Sequence, residues 1–200
     1  EWHIEQGTDA IVAVGTTGES PTLDVQEHMA TIAAIVEDAN GRVPVIAGTG
    51  ANCTREAIEW TRRAQQAGAD ACLLVAPYYN KPTQDGIYAH YAAMAKASNK
   101  DIILYNVPGR TASNVLPATT LKLAREFSNI IAVKEASGNM EQIMEIISNK
   151  PENFLVISGD DAITLPILAA GGDGVISVVG NAFPHVSKAM VEAGLAGDFE

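Results

Sequence analysis

Seven short apolar runs recur along the chain, and their spacing constrains the fold more than any other feature. Successive runs start about 20 to 33 residues apart, which is the scale of a β-α-β unit. Most of them are continuous rather than alternating in polarity, as is typical of strands buried on both faces of a parallel sheet. The predicted strands are residues 10–14, 43–47, 71–76, 102–105, 130–133, 154–157 and 174–178.

The segments between the runs predict amphipathic helices. Asp24 followed by Glu27 has the spacing of a capping box, and apolar residues then recur at helical intervals until Gly41. Further helix starts are predicted at Thr54, Thr83, Pro117, Asn139, Asp160 or Asp161, and Pro184. One predicted apolar helix face consists of Met140, Ile143, Met144 and Ile147.

Strict alternation of strand and helix predicts a parallel sheet, either open and doubly wound or closed as a (β/α)8 TIM barrel. No GxGxxG turn is present, and seven strands with an eighth upstream favour the barrel. The chain begins without methionine inside a predicted helix over residues 1–6 and stops at Glu200 inside another. We therefore expect a single barrel domain over residues 1–200, truncated at both ends, without its first strand and C-terminal helices.

Composition excludes several classes of function. The net charge of −11 argues against nucleic acid or an anionic membrane as a partner. No apolar run approaches the roughly 20 residues needed to span a bilayer. Cys53 and Cys72 stand alone, without the spacing of a metal site, and fit a reducing cytoplasm better than a disulfide scaffold.

Lys134 directly follows the apolar run at residues 130–133. A lysine at the tip of a buried strand is poorly solvated, which lowers its pKa and makes a neutral amine available. Such an amine attacks ketones and aldehydes to form a Schiff base. The alternative is a structural lysine whose long stem reaches solvent.

Residues suited to chemistry follow the predicted strands and not the helices. In a (β/α)8 barrel, active sites lie at the carboxyl ends of the strands. Hydroxyls, phenols, one arginine and one lysine therefore converge on the same rim, which favours the catalytic interpretation of Lys134. The segments concerned are residues 15–20, 48–50, 77–80, 105–110, 134–135 and 159–161.

Other rim residues have plausible roles beside a Schiff-base lysine. The phenol of Tyr105 suits general acid and base catalysis, and the Arg110 guanidinium suits bidentate binding of a carboxylate. Residues 15–20 are able to hold a carboxylate with backbone amides and hydroxyls, or to form only a tight turn and a cap. Tyr78 and Tyr79 are equally compatible with packing against a helix.

Five motifs together resemble the pyruvate-dependent class I aldolases of the N-acetylneuraminate lyase family. They occur in order at successive predicted strand ends and cover essentially the whole chain. The motifs are GTTGES at residues 15–20, PYYNKP at 77–82, YNVPGRT at 105–111, KEASG at 134–138 and SGDD at 158–161.

The resemblance implies a lyase in which Lys134 forms a Schiff base with pyruvate. It also implies a proton relay of Thr16, Tyr105 and Tyr79, with Tyr79 supplied by a neighbouring subunit of a cytoplasmic homotetramer built as a dimer of dimers. Neither a metal nor an organic cofactor is implied. The expected catalytic residues are Lys134, Tyr105, Thr16 and Tyr79.

The branch of the family most similar in its motifs uses L-aspartate 4-semialdehyde as second substrate. Its product, 4-hydroxy-tetrahydrodipicolinate, belongs to lysine (diaminopimelate) biosynthesis. By this resemblance Arg110 binds the carboxylate of the semialdehyde, Thr17 holds the carboxylate of pyruvate, and Ile176 contacts pyruvate through its main chain. The expected substrate-binding residues are Thr17, Arg110, Ile176 and Gly159.

The resemblance also implies an L-lysine effector site at a subunit interface. Val25 departs from regulated relatives, which often carry an imidazole or larger ring there, so we expect weakened inhibition. The expected effector residues are Ser20, His28, Asn52, Glu56 and Tyr78.

Two alternatives remain at this point. The first is a sister enzyme, either an N-acetylneuraminate lyase or an aldolase of 2-keto-3-deoxy sugar acids. Such enzymes share the lysine and tyrosine but tend to differ at Thr16 and around Arg110. The second is a catalytically inactive barrel that serves as a binding subunit.

Overall fold

The computed structural model describes residues 1–199, in which seven strands alternate with helices. The strands confirm all seven predicted runs. They are β1 (Ile11–Ala13), β2 (Val45–Gly48), β3 (Ala71–Val75), β4 (Asp101–Asn106), β5 (Ile130–Glu135), β6 (Leu155–Ser158) and β7 (Gly174–Val175).

Helices precede β1, connect the strands and follow β7. In the segments after β1, β6 and β7, short 3-10 turns come before the α-helix. The α-helices are α1 (Trp2–Glu5), α2 (Val25–Ala39), α3 (Thr54–Gln66), α4 (Gln84–Ala97), α5 (Pro108–Thr111), α6 (Pro117–Glu126), α7 (Met140–Asn149), α8 (Thr164–Ala169) and α9 (Pro184–Leu195).

Local capping explains where several helices begin. The Asp24 carboxylate accepts from the backbone amides of Gln26 and Glu27, and the Glu27 carboxylate accepts from the Asp24 amide at 3.1 Å. This confirms the predicted capping box, which satisfies amides that the first helical turn leaves free. The side chains of Thr83 and Asn139 cap α4 and α7 by accepting from the backbone amides of Gly86 and Gln142, without the reciprocal bond of a capping box.

The predicted cap at Thr54 is wrong. Cys53 occupies the cap position of α3 without a side-chain hydrogen bond. The Thr54 hydroxyl is instead hydrogen-bonded to Nδ1 of the buried His90 at 2.8 Å. The apolar face predicted for α7 is also partly wrong, because Met144 is 45% exposed while Ile146 is fully buried.

The seven strands form one parallel sheet in the order β1-β2-β3-β4-β5-β6-β7. Sequential order with a helical crossover at every step is the topology of a (β/α)8 barrel, here one strand short of eight. Asp9 precedes β1 and Lys188 lies in α9 after β7, yet their side chains are in contact at 2.8 Å. The chain segments flanking the outermost strands therefore meet, as expected for a sheet that curls into a barrel.

Alternate residues of the strands pack into two apolar layers. Leu73, Ile103, Tyr105 and Ala132 belong to a small cluster on one side of the sheet. The residues next to them belong to the larger cluster, which includes apolar residues of the helices on the other side. Because side chains alternate along a strand, Lys134 shares the inner face with Ala132, and Glu135 faces the helices.

Some element boundaries differ from the predictions. β5 extends two residues further than predicted, through Lys134 and Glu135, and β7 ends at Val175 and not at residue 178. The first helix is Trp2–Glu5, shorter than predicted. The last helix ends at Leu195, and the prediction of helix at Glu200 lies outside the described residues.

Candidate active site

Lys134 and Tyr105 lie side by side at the carboxyl ends of two neighbouring strands. The parallel register of β4 and β5 pairs Tyr105 with Lys134 directly. Both side chains occupy the inner face, and the Lys134 Nζ lies 4.3 Å from the centroid of the Tyr105 ring. The structure therefore brings together the amine and the phenol that the sequence predicted for the site.

The Lys134 side chain is buried, with 9% of its surface exposed. Burial lowers the pKa of its amine from 10.5 to about 8, since removal from water disfavours the charged form. The Asp161 carboxylate opposes this shift in pKa, and the Arg110 guanidinium adds to it. The neutral amine that a nucleophile requires is therefore far more abundant near pH 7 than in an ordinary lysine.

Gly159 provides the room for the Lys134 stem. A Cβ at this position would lie 2.9 Å from Lys134 Cε and 2.8 Å from Ala136 Cβ, and both distances are far shorter than a normal carbon contact. The position is not in the left-handed region, so the constraint is steric and not conformational. The structure thus gives Gly159 a direct role in shaping the lysine pocket.

Tyr105 is buried as well, and burial raises the pKa of its phenol. The side-chain hydroxyl of Thr16 and the charge of Arg110 both act to lower that pKa. Thr16 and Arg110 therefore lie within electrostatic or hydrogen-bonding reach of the phenol. Three predicted site residues, Thr16, Tyr105 and Lys134, form one group within a single chain.

An unusual backbone conformation precedes Thr16 and Thr17. Val14 has a φ of 47°, in the left-handed region that β-branched residues rarely adopt. A Cβ on Gly48 of β2 would lie 2.4 Å from the Val14 carbonyl oxygen, so this close approach requires a glycine. Thr16 and the exposed Thr17 then form a 3-10 turn at the rim.

Asp161 anchors the segment after β7. Its carboxylate accepts from the Ser177 hydroxyl and from the backbone amides of Val178 and Val179. The preceding amide, of Ile176, donates to the Ser158 carbonyl at 2.9 Å. A main-chain contact between Ile176 and a substrate would therefore use the Ile176 carbonyl.

Tyr79 is not brought to the other site residues within the chain. Its ring is 88% exposed, and its backbone has a φ of 73°. Its amide donates to the Thr111 carbonyl at 3.2 Å, which connects the Tyr79 loop to α5. Arg110 lies in that short helix and is exposed at the rim.

Two predicted effector residues are in contact. The Asn52 amide donates to the Tyr78 carbonyl at 3.2 Å, and the Asn80 amide donates to the Asn52 carbonyl. His28 is buried, donates to the Gly48 carbonyl at 2.8 Å and lies against Trp60. Ser20 lies in a 3-10 turn, and Glu56 is exposed in the first turn of α3.

Comparison with known proteins identifies the family. A family model described as the dihydrodipicolinate synthetase family matches residues 1–200. The 4-hydroxy-tetrahydrodipicolinate synthase of Methylococcus capsulatus is 58% identical over 198 residues, which are 99% of this chain and 68% of the relative. The chain belongs to the dihydrodipicolinate synthetase family.

Solved structures of dihydrodipicolinate synthases have the same fold. The chloride-inhibited enzyme from Acinetobacter baumannii, complexed with pyruvate, is 49% identical with a TM-score of 0.95, over 98% of this chain and 67% of that one. The enzyme from Cyanidioschyzon merolae with lysine bound is 45% identical with a TM-score of 0.94, over 96% and 65%.

In this member of the dihydrodipicolinate synthetase family, sequence reasoning missed three features of the site. These are the anchoring role of Asp161, the strained Val14 packed against Gly48, and the steric role of Gly159. Among residues 1–199, no group of three or more His, Cys, Asp or Glu side chains is arranged to hold a metal ion. No helix in the same range is long and apolar enough to cross a membrane.

Proposed function

We propose that this chain condenses pyruvate with L-aspartate 4-semialdehyde to give 4-hydroxy-tetrahydrodipicolinate, as a Schiff-base-forming lyase of lysine biosynthesis. The observation that carries this proposal is the buried Lys134 amine, with a pKa lowered to about 8, lying 4.3 Å from the Tyr105 ring centroid. The similarity to enzymes named 4-hydroxy-tetrahydrodipicolinate synthase supports the choice of reaction.

The first step joins Lys134 to pyruvate. The neutral amine attacks the ketone carbon, and the carbinolamine that results loses its hydroxyl as water to give the imine. Tyr105 donates the proton that this departure requires. The phenol recovers a proton through Thr16 and Tyr79, the relay that the family resemblance implies.

The second step forms the new carbon–carbon bond. Loss of a proton from the methyl group of the imine gives an enamine, whose methylene carbon attacks the aldehyde of the semialdehyde. The amine of that substrate then attacks the imine carbon, which closes the ring and releases Lys134 as a free amine. Every bond is made by acid–base and imine chemistry alone.

Binding of the two substrates is divided along the rim. Arg110 is exposed there and presents a guanidinium suited to the carboxylate of the semialdehyde. Thr17 follows β1 and Ile176 follows β7, the first and last strands of the sheet, and the Thr17 hydroxyl and Ile176 carbonyl suit the carboxylate and methyl end of pyruvate. Gly159 lines the pocket from β6 and leaves space for the Lys134 stem.

We assign Tyr79 to the active site of a second copy of the chain in a cytoplasmic homotetramer. Its 88% exposure supports this, because the ring makes little contact within its own chain and is free to enter the site of a second copy, as the family resemblance implies. A mixture of two inactive variants, Lys134→Ala and Tyr79→Phe, tests the assignment. Exchange of subunits should restore activity, and a mixture that stays inactive after exchange would contradict it.

We also propose an L-lysine effector site around Asn52 and Tyr78. Asn52 is bonded to the Tyr78 carbonyl, and the next amide is bonded to the Thr111 carbonyl beside Arg110. Two hydrogen bonds thus connect a ligand at Asn52 to the backbone next to Arg110, the residue proposed to bind the semialdehyde. Millimolar L-lysine should inhibit weakly, and Asn52→Ala should abolish the effect. Complete insensitivity of the unmodified protein would show that the site is absent.

One assay tests the proposed reaction directly. Purified protein is given pyruvate and L-aspartate 4-semialdehyde, and product formation is followed through a coupled reductase. Parallel reactions contain N-acetylneuraminate or a 2-keto-3-deoxy sugar acid. Faster turnover of either sugar acid than of the semialdehyde would replace the proposed function with that of a sister aldolase.

A further inference from the structure

Glu135 is the residue after Lys134 and is completely buried on the opposite side of the sheet. The β4–β5 register pairs Asn106 with Glu135, immediately beyond the pairing of Tyr105 with Lys134. Two side-chain pairs therefore occupy the last two positions of these strands, one toward the barrel interior and one toward the helices. The second pair has no role in the mechanism described above.

The Glu135 carboxylate is surrounded by hydrogen-bond donors. The Asn106 side-chain amide lies 3.2 Å from both carboxylate oxygens, and Gln142 donates at 3.1 Å. The Ser137 backbone amide donates at 2.9 Å. Among residues 1–199, Glu135 forms no ion pair with a lysine, arginine or histidine.

The orientation of the Asn106 amide is fixed by its other contacts. Its Oδ1 accepts from the Val115 amide at 2.9 Å, so its Nδ2 must face Glu135. The same Nδ2 also donates to the side-chain oxygen Oδ1 of Asn114 at 2.9 Å. Asn106 therefore acts as a rigid donor, held from the loop that precedes α6.

Burying a carboxylate without a neighbouring cation has a large free-energy cost, because the charge loses its hydration. Burial raises the pKa of Glu135, and the donors from Ser137, Asn106 and Gln142 oppose that rise. An apolar side chain of similar volume would be easier to bury. The hydrogen bonds of Glu135 offset this cost and hold the ends of β4 and β5 in one arrangement.

Backbone hydrogen bonds connect this pair to the lysine pocket. The pairing of β4 with β5 shifts between Ile102 and Ile103, and four regular pairs then follow, of which the last joins Asn106 to Glu135. Beyond the pair, the Ala136 amide donates to the Asn106 carbonyl and the Gly159 amide donates to the Glu135 carbonyl. Ala136 and Gly159 are the two residues that confine the Lys134 stem.

We propose that Glu135 and Asn106 are positioning residues that lock the ends of β4 and β5 so that the Tyr105 phenol stays over the Lys134 amine. This inference rests on the proposed function, since it concerns the same lysine and tyrosine. Glu135 and Asn106 touch neither substrate. They act through the backbone on which the two catalytic side chains stand.

Three variants test the pair. Glu135→Gln places a side-chain amide, itself a donor, against the other donors around this position. Asn106→Asp places two carboxylates next to each other. Each single variant should lower kcat at least tenfold. The KM for pyruvate and the KM for L-aspartate 4-semialdehyde should each change less than threefold. The exchange variant, Asn106→Asp with Glu135→Gln, restores one carboxylate facing one amide across the strands. It should regain at least a third of the unmodified kcat.

Thr61→Val serves as the matched control. Thr61 is buried, and its hydroxyl is hydrogen-bonded to that of Thr49 at 3.0 Å, away from β4 and β5. Loss of the Thr61 hydroxyl should lower the melting temperature about as much as Glu135→Gln does. The kcat of Thr61→Val should stay within twofold of that of the unmodified protein. A drop in kcat that followed melting temperature equally in both variants would make Glu135 merely structural and overturn the proposal.

The unmodified protein separates this proposal from the proposed function. If it neither condenses the two substrates nor forms an imine with pyruvate at Lys134, the proposed function itself is wrong. If it does both while folded Glu135→Gln keeps its kcat, the positioning role is wrong. Should Glu135→Gln fail to fold, Glu135→Asp decides, because its shorter carboxylate should lower kcat fivefold or more, and an unchanged kcat would overturn the proposal.

Discussion

Replacing Gly159 with alanine should disable the active site while leaving the barrel folded. The added Cβ would lie 2.8 Å from Ala136 Cβ and 2.9 Å from Lys134 Cε, where carbon atoms normally keep about 3.5–4.0 Å. Ala136 is fixed by its backbone, whereas the lysine stem is able to rotate. We therefore expect Lys134 to leave its position over Tyr105.

The magnitude follows from the size of the overlap. Adding one carbon to a tightly packed site costs about 1–3 kcal/mol. If that energy is spent in displacing Lys134, the productive arrangement becomes roughly 5- to 150-fold rarer. The rate of imine formation with pyruvate should fall by the same factor, while the melting temperature changes by only a few degrees.

The assay is the rate of borohydride trapping at a fixed pyruvate concentration, measured with the melting temperature. Gly109→Ala is the matched control, because a Cβ there meets nothing within 4 Å at the same rim. It should trap pyruvate at a rate within twofold of the unmodified protein. An unchanged trapping rate in Gly159→Ala would refute the claim that this glycine confines the lysine.

Two further predictions concern pH and substrate binding. The trapping rate should rise with pH to a midpoint near 8, because burial lowers the pKa of Lys134 to about 8 and only the amine form, present above that pKa, reacts. A rate still rising steeply beyond pH 10 would contradict the lowered pKa. Arg110→Ala should raise the KM for L-aspartate 4-semialdehyde roughly 10- to 150-fold, as expected for loss of about 1.5–3 kcal/mol from a charge-assisted hydrogen bond. The KM for pyruvate should change far less, and equal increases in both would show that Arg110 does not select the second substrate.

The existence and order of the strands could be predicted because each one is an apolar run of the right length and spacing. Their ends could not, because pairing and not hydrophobicity decides where a strand stops. β5 continues through Lys134 and Glu135 because these residues pair with Ile157 and Ser158 of β6. β7 stops at Val175, its last residue paired with β6, and the amides of Val178 and Val179 donate instead to the Asp161 carboxylate.

The candidate site divides in the same way. Lys134 and Tyr105 were predictable because each lies at the end of a buried apolar run in the sequence. The roles of Gly159, Val14 and Asp161 depend on contacts between segments far apart in the chain. No local pattern shows that a glycine on β6 must leave room for a lysine on β5.

Thr54 illustrates a local rule that a tertiary contact overrides. Its position before an amphipathic helix suggests a cap, yet its hydroxyl is hydrogen-bonded to the ring of His90 in α4. Burial lowers the pKa of His90 to about 4, so the neutral imidazole is available for this hydrogen bond. The helix begins without a side-chain cap because Cys53 occupies the cap position and makes no side-chain hydrogen bond there.

Covalent labelling of Lys134 tests the central claim most directly. Protein incubated with pyruvate and reduced with borohydride should carry one reduced pyruvyl group per chain, located by peptide mass mapping on the peptide that contains Lys134. Lys134→Ala should take up none, and omission of pyruvate should leave every lysine unmodified. A label on another lysine, or no label at all, would contradict the Schiff-base mechanism.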